Sequence, residues 1–291
     1  MRRGNIHGMI VVGWREMKIT RIVKQKKNNN RYDIYIDGES GEKYTFSVDE
    51  DLLVKYHLRK GLTLSQSLIE TLSEQDTIHQ SYAQVLNYLS YRMRSKQEIK
   101  DYLKQKDVDS EHIQVIIDRL INEGLVDDYT FAEMFVKNRM KHSNKGPLFV
   151  KQELTKTKGI QEDIVNEAIS QYTDEMQYRR ALKIAEKRMN RQSNHSFKKQ
   201  LQQLQATLKR NGFTKNIIEQ VADECKMYKD ESAEWSALCY HGERLINKYE
   251  RKLTGFTLMN KIKEGLYRQG FSMNDIQEYI NNLSIYSSEE T

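Results

Sequence analysis

Proline occurs once in the 291 residues, as Pro147. Proline breaks helix interiors and punctuates loops, so its scarcity points to a mainly helical chain with short connections. Cysteine occurs twice, as Cys225 and Cys239, with no second pair and no histidine cluster beside them. That argues against a disulfide framework and a zinc module and fits a reducing compartment. No apolar run approaches the roughly 18 residues that a membrane span needs. The catalytic signatures are missing too: there is no phosphate-binding glycine loop, dinucleotide fingerprint, nucleophile elbow or HExxH pair. The seven histidines are scattered, none paired at ligand spacing. We therefore expect no cofactor, no metal and no enzyme activity.

What is present is charge and helical periodicity. Charged residues make up 30% and apolar residues 38% of the chain, with a net charge of +6. This describes a folded protein with a large wetted surface, suited to an acidic partner. Residues 18–48 alternate in β-branched and aromatic positions and read as three short strands, Lys18–Gln25, Arg31–Asp37 and Lys43–Val48. They form a small antiparallel meander that needs helices to pack on, expected from Asp49 to about Lys60 and from about Ser65 to Glu74. The segment before Met17 is basic and only briefly apolar, too short for a signal peptide. Met17 is expected to be the functional start.

From about residue 79 onward one signature recurs: an apolar residue, inward positions three and four later, then arginine at the seventh. The four instances are Val85-Tyr88-Leu89-Arg92, Ala132-Phe135-Val136-Arg139, Ala181-Ile184-Ala185-Arg188 and Ala237-Tyr240-His241-Arg244. This spacing puts all four positions on one helical face. A second element follows each: Leu103 to Val108, Leu154 to Ile160, Leu208 to Phe213 and Leu266 to Phe271. Gly159, Gly212 and Gly270 precede the closing apolar residue and suit a left-handed helix end, whereas Asp107 stands there in the first instance and leaves its turn geometry open. Equivalent residues lie 47 to 58 positions apart. The fold class is thus mainly α, with tandem three-helix repeats in an elongated curved array behind a small N-terminal β meander. The expected domains are a disordered or non-native leader (1–16), a strand and helix domain (17–78), then repeats at 79–128, 129–176, 177–230 and 231–291. Ser95 with Glu98, and Thr130 with Glu133, have capping-box spacing at helix starts. Pro147 after Gly146 suits a first turn.

The candidate functional residues come from charge distribution. Between Lys137 and Lys158 there are seven cations against Glu153 alone, and between Arg179 and Lys215 eleven against Glu186 alone. A solvated helix face usually mixes signs, so a stripe of one sign is an electrostatic footprint for a polyanion, with a merely solvated surface as the alternative. The candidate contacts are Arg139, Lys145, Lys151, Lys156, Lys158, Arg179, Arg180, Lys183, Lys198 and Lys199. The recurring Arg92, Arg139, Arg188 and Arg244 have two readings. Each either anchors its repeat or meets phosphates and carboxylates of a partner, and recurrence in one slot favours the anchor. Asp127 and Asp128 precede a helix and are read as capping carboxylates. The closing Glu289-Glu290 reads as a solvated tail.

The stretch Tyr91 to Ile169 resembles the central region of the RecX family. The matching pieces are Arg94-Ser95 followed by Glu98-Ile99, Gly124-Leu125-Val126-Asp127-Asp128, Phe131-Ala132, Arg139, Gly146-Pro147, and Glu153-Leu154 with Lys158-Gly159-Ile160. The resemblance implies a cytoplasmic bacterial regulator that binds in the groove of the RecA–DNA filament, inhibits recombinase and co-protease activity and limits filament growth. The fourth repeat and the N-terminal strands match the longer Gram-positive-type members. The partners so implied are the RecA filament and single- or double-stranded DNA, with no membrane, and the chain is expected to act as a monomer. Two rivals stay open. A helical array can bind DNA directly, with steep salt dependence and no RecA, or it can serve as a protein scaffold.

Overall fold

The structure, a computed structural model, describes residues 17–26, 30–38, 41–191 and 193–288, with side chains up to 283. The expected leader and the Glu289-Glu290 tail lie outside the described residues. The chain divides into two compact units, Met1–Asp127 and Asp128–Thr291.

In the first unit the alternating segment forms strands β1 (Met17–Lys24), β2 (Arg31–Gly38) and β3 (Gly41–Asp49), joined by a two-residue β4 (Thr63–Leu64) that the alternation did not announce. The sheet is antiparallel in the order β3-β2-β1-β4. One face carries Ile19, Ile34, Ile36, Phe46 and Val48, all buried. It packs on Leu52 of α1 (Glu50–Lys55) and on Ile69 and Leu72 of α2 (Gln66–Ser90). Asp49 caps α1 by accepting from the Asp51 amide at 3.0 Å.

Helix α2 runs unbroken for 25 residues across residue 79, where the first repeat is expected to begin. Its N-terminal half covers the sheet, while Tyr82 and Val85 enter the core of the first repeat. A buried ion pair sits between the halves. Arg31 on β2 donates to both carboxylate oxygens of Asp76 at 3.0 and 2.8 Å, and the Asp49 amide and the Gln80 side chain complete the set. Removing one member of such a group strands a largely buried charge, so the pair ties β2 to the middle of α2. The first repeat continues with α3 (Lys96–Lys104) and α4 (Ser110–Asn122). The capping box of Ser95 and Glu98 is formed at the start of α3.

The second unit holds nine α-helices among its described residues. The second repeat is α5 (Asp128–His142), α6 (Pro147–Gln152) with a π-helical turn (Glu153–Thr157), and α7 (Glu162–Ile169). The third is α8 (Asp174–Met189), α9 (Phe197–Arg210) and α10 (Lys215–Met227), and the fourth α11 (Glu231–Tyr249), α12 (Gly255–Gln269) and α13 (Met273–Ser288). Each repeat has its own core, seeded by the recurring face: Ala132 and Val136, Ala181 and Ala185, Ala237. Helix α5 starts at Asp128, so Thr130 and Glu133 lie inside it rather than at its start. The Asp128 carboxylate in the first turn suits an earlier start.

All four middle helices end alike. The amides of Val108, Ile160, Phe213 and Phe271 donate to the carbonyls of Leu103, Leu154, Leu208 and Leu266 at 3.0 to 3.4 Å. The residue before each closing amide is left-handed, with φ of 58° at Asp107, 64° at Gly159, 83° at Gly212 and 96° at Gly270. Asp107 therefore keeps the turn geometry of the glycines, in a conformation that aspartate reaches more easily than most residues. The second repeat spends one extra residue between its leucine and its closing amide, and the π-helical turn absorbs it.

Candidate interaction surface

The recurring arginines tie first helices to second helices. Arg92 forks onto both Glu98 oxygens at 3.1 and 2.8 Å, which holds its guanidinium above its ordinary pKa. Arg139 reaches Glu153 at 2.7 Å, and Arg188 reaches Gln203 at 2.9 Å. Arg244 differs, meeting Tyr240 of its own helix at 3.3 Å. In the first three repeats the slot thus carries an internal anchor.

Adjacent repeats of the second unit meet through a joint that occurs twice. At the first joint, the Gly146 and Leu148 amides at the start of α6 donate to the Asn211 and Gly212 carbonyls at the end of α9, at 2.7 and 3.0 Å. At the second, the Ser196 hydroxyl before α9 donates to the Gln269 carbonyl at the end of α12, at 2.5 Å. A lysine seals each: Lys145 reaches Asn211 Oδ1 at 3.2 Å and Lys199 reaches Gln269 Oε1 at 3.0 Å. At the first joint orphan amides of one helix start meet orphan carbonyls of the next repeat's helix end, with dipoles head to tail, whereas at the second a side-chain hydroxyl makes the link. The approach is close. A Cβ on Gly146 would come within 2.6 Å of the Gly212 carbonyl carbon, and one on Gly212 within 2.6 Å of Phe149 Cβ.

Arg180 serves the same joint from α8. Its guanidinium donates to the Ser143 carbonyl at 2.8 Å, the Arg139 carbonyl at 3.4 Å, the Met140 carbonyl and the Tyr172 hydroxyl. A cation on the free carbonyls that end α5 satisfies both the dipole and the hydrogen bonds.

The ten sequence-derived candidates separate on this basis. Arg139, Lys145, Arg180 and Lys199 have the internal partners just described. Lys151 pairs with Glu162 at 3.0 Å and with Asn166 at 2.8 Å, and Arg179 with Glu175 at 2.6 Å across one exposed helical turn. Lys158 is half-buried, its ammonium 6.0 Å from the Phe135 ring centroid. Lys156, Lys183 and Lys198 are exposed and form no ion pair with the described residues. Lys187, Lys209 and Arg210, counted in the basic segment but not among the ten candidates, share that condition. The joint partners Asn211 and Gln269 were also missed. Each lies 66 to 73 residues from its contacts, and nothing local marks it.

Among the described residues, the one group with metal-ligand proximity is Asp49, Asp51 and His79. Asp51 is 84% exposed, Asp49 is occupied as a helix cap, and His79 contacts the pair at 3.8 and 3.5 Å. The trio reads as a braced helix start. No described helix is long and apolar enough to cross a membrane.

Comparison with known proteins places this architecture. The family profile described as the regulatory protein RecX N-terminal domain matches residues 17–65. Profiles of the RecX first, second and third three-helix domains match residues 82–120, 127–169 and 232–280. The third-domain profile thus falls on the fourth repeat, with the α8–α10 repeat lying between the second and third matches. The regulatory protein RecX of Oceanobacillus iheyensis is 42% identical over 90% of this chain and 97% of its own length. That of Bacillus cytotoxicus is 36% identical over 90% and 96%. A crystal structure of a regulatory protein RecX, 34% identical, superposes with a TM-score of 0.62 over 71% of this chain and 99% of the other. The N-terminal-domain match followed in order by three three-helix-domain matches, with 36–42% identity to these relatives over 90% of this chain, shows that the chain belongs to the RecX family of regulatory proteins.

Proposed function

We propose that this protein binds the RecA–DNA filament and inhibits recombination, and that the exposed cations of its second and third repeats supply the contact. The observation that carries the reading is the set of exposed lysines at 156, 183 and 198, which form no ion pair with the described residues, in two segments where Glu153 (137–158) and Glu186 (179–215) are the sole acids. Such unspent cations meet phosphates or an acidic protein groove and lose affinity steeply with salt. The repeated joint adds support. Repeats related by the same contact present equivalent surfaces, a filament does likewise, and linked weak contacts multiply in strength.

The test is Lys156→Glu, Lys183→Glu and Lys198→Glu combined, assayed for inhibition of RecA strand exchange. The three residues are chosen because none holds a joint, so the variant is expected to melt like the wild type while inhibition disappears. Normal inhibition by the folded triple variant overturns the proposal. Salt-steep binding to single-stranded DNA without RecA, retained alongside normal RecA activity, would favour direct DNA binding instead.

A further inference from the structure

The fourth repeat departs from the other three at one core position. The inward slot that carries Leu89, Val136 and Ala185 in the first three repeats carries His241 in the fourth. The ring is half-buried on α11 and reaches into the second joint. There it stacks on the His195 ring of the third repeat, with centroids 6.5 Å apart and planes 14° off parallel. Its further ring neighbours are Phe271, 5.9 Å away just past α12, and Tyr240, 5.5 Å away on its own helix. The segment that carries His195 is also the one that closes the joint, through Ser196 onto the Gln269 carbonyl and Lys199 onto the Gln269 side chain.

This pair has no place for an added proton. The His195 Nδ1 is buried and has no hydrogen-bond partner among the described residues. A charged imidazolium carries an N–H at that atom, which would stand in the joint without an acceptor. The charged groups that face His241 are cationic: His195 when protonated and Lys199 from the third repeat, and Arg244 from its own helix. Phe271 offers only an apolar surface. Burial first, and then these neighbours, hold the His241 pKa below its ordinary 6.5, against a hydrogen bond to the Asn194 backbone that favours charge. Opening the joint returns the ring to water. The open form therefore binds the proton more readily, and acidification below pH 6.5 favours opening. Glu234 also titrates at this joint, where it accepts from the Phe197 amide at 2.6 Å. Burial raises its pKa, so the closed form holds that proton better and its effect has the opposite sign.

We propose that the joint between the third and fourth repeats is a proton-operated hinge, closed while the stacked His195–His241 pair is neutral and opened when the pair takes up a proton. Opening resets Lys198, whose Cβ lies 3.5 Å from the place of a Cβ on Gly270 across the joint. The hinge is independent of which partner the chain binds, so its failure leaves the filament reading standing. The test uses the full-length isotope-labelled chain. Histidine ring resonances are titrated, with His241→Leu, the residue of the first repeat's slot, identifying His241; its midpoint is expected below 6.5. Hydrogen exchange of the Phe197 amide, corrected for its intrinsic pH dependence, reports the joint itself. Its protection is expected to fall several-fold between pH 7.5 and about pH 5.5, by no more than about tenfold per pH unit for one proton. The fall should be smaller in His241→Leu and in His195→Phe, which keeps the stack without a titrating ring. A His241 midpoint at or above 6.5, equal Phe197 protection at the two pH values in the wild type, or an undiminished fall in both variants would overturn the proposal.

Discussion

Replacing Gly212 by alanine probes the joint between the second and third repeats directly. Two costs combine. Gly212 has φ of 83°, where an L-residue pays about 1–2 kcal/mol. The added Cβ also runs into the Phe149 backbone, which cannot swing aside as a flexible side chain would. The joint must open, and the bonds from the Gly146 and Leu148 amides then fail. At about 0.5–1.5 kcal/mol each, they bring the total to about 2–5 kcal/mol. Gly124→Ala is the reference: its φ is 70°, but a Cβ there meets nothing within 4 Å, so the conformational cost alone, about 1–2 kcal/mol, is expected. Urea denaturation measures both changes, and native-state hydrogen exchange locates the first. Protection of the Leu148 amide should fall by about thirtyfold to a few thousandfold, since each 1.4 kcal/mol is tenfold. A Gly212→Ala protein no less stable than Gly124→Ala, or with Leu148 still protected, would refute the joint as described.

Three further substitutions test other parts of the argument. Asp107→Gly should raise stability by about 1 kcal/mol in urea titrations, because Asp107 is exposed and holds φ of 58° with no side-chain partner among the described residues; a loss of stability would contradict this. Arg180→Met should cost about 2–4 kcal/mol by removing a charged donor from the carbonyls that end α5, and thermal melts no lower than those of Lys183→Met would show that the contact contributes nothing. The Tyr279 hydroxyl is pushed up to about 12, first by burial and then by Cys239 and Glu243. The fold favours its protonated form, so the unfolded chain releases that proton near pH 10 while the folded one keeps it, and stability falls between pH 10 and 12. Tyr279→Phe should flatten that fall, and identical pH slopes for the two proteins would count against it.

The repeats were legible in the chain itself because they rest on local periodicity. An apolar residue at Ala132 or Ala181 with partners three and four later defines a buried helical face wherever the chain goes, and a glycine after a leucine helix defines a left-handed end. The β meander was legible for the same reason, through alternation at Ile34, Ile36, Phe46 and Val48. Charge counting located the cations but not their employment. Lys145, Arg180 and Lys199 look like Lys156, Lys183 and Lys198 in a linear string, and they differ in whether a distant carbonyl or amide lies within reach.

That reach belongs to tertiary structure. Lys145 finds Asn211 across 66 residues, and Ser196 finds Gln269 across 73, distances over which no helical or strand periodicity carries information. The Arg31–Asp76 pair has the same origin, joining a strand to a helix 45 residues on. The amino-acid order alone specified which faces must be buried and where helices end. Which buried face meets which, and which cations are left to face a partner, followed from backbone groups satisfying one another at the joints between repeats.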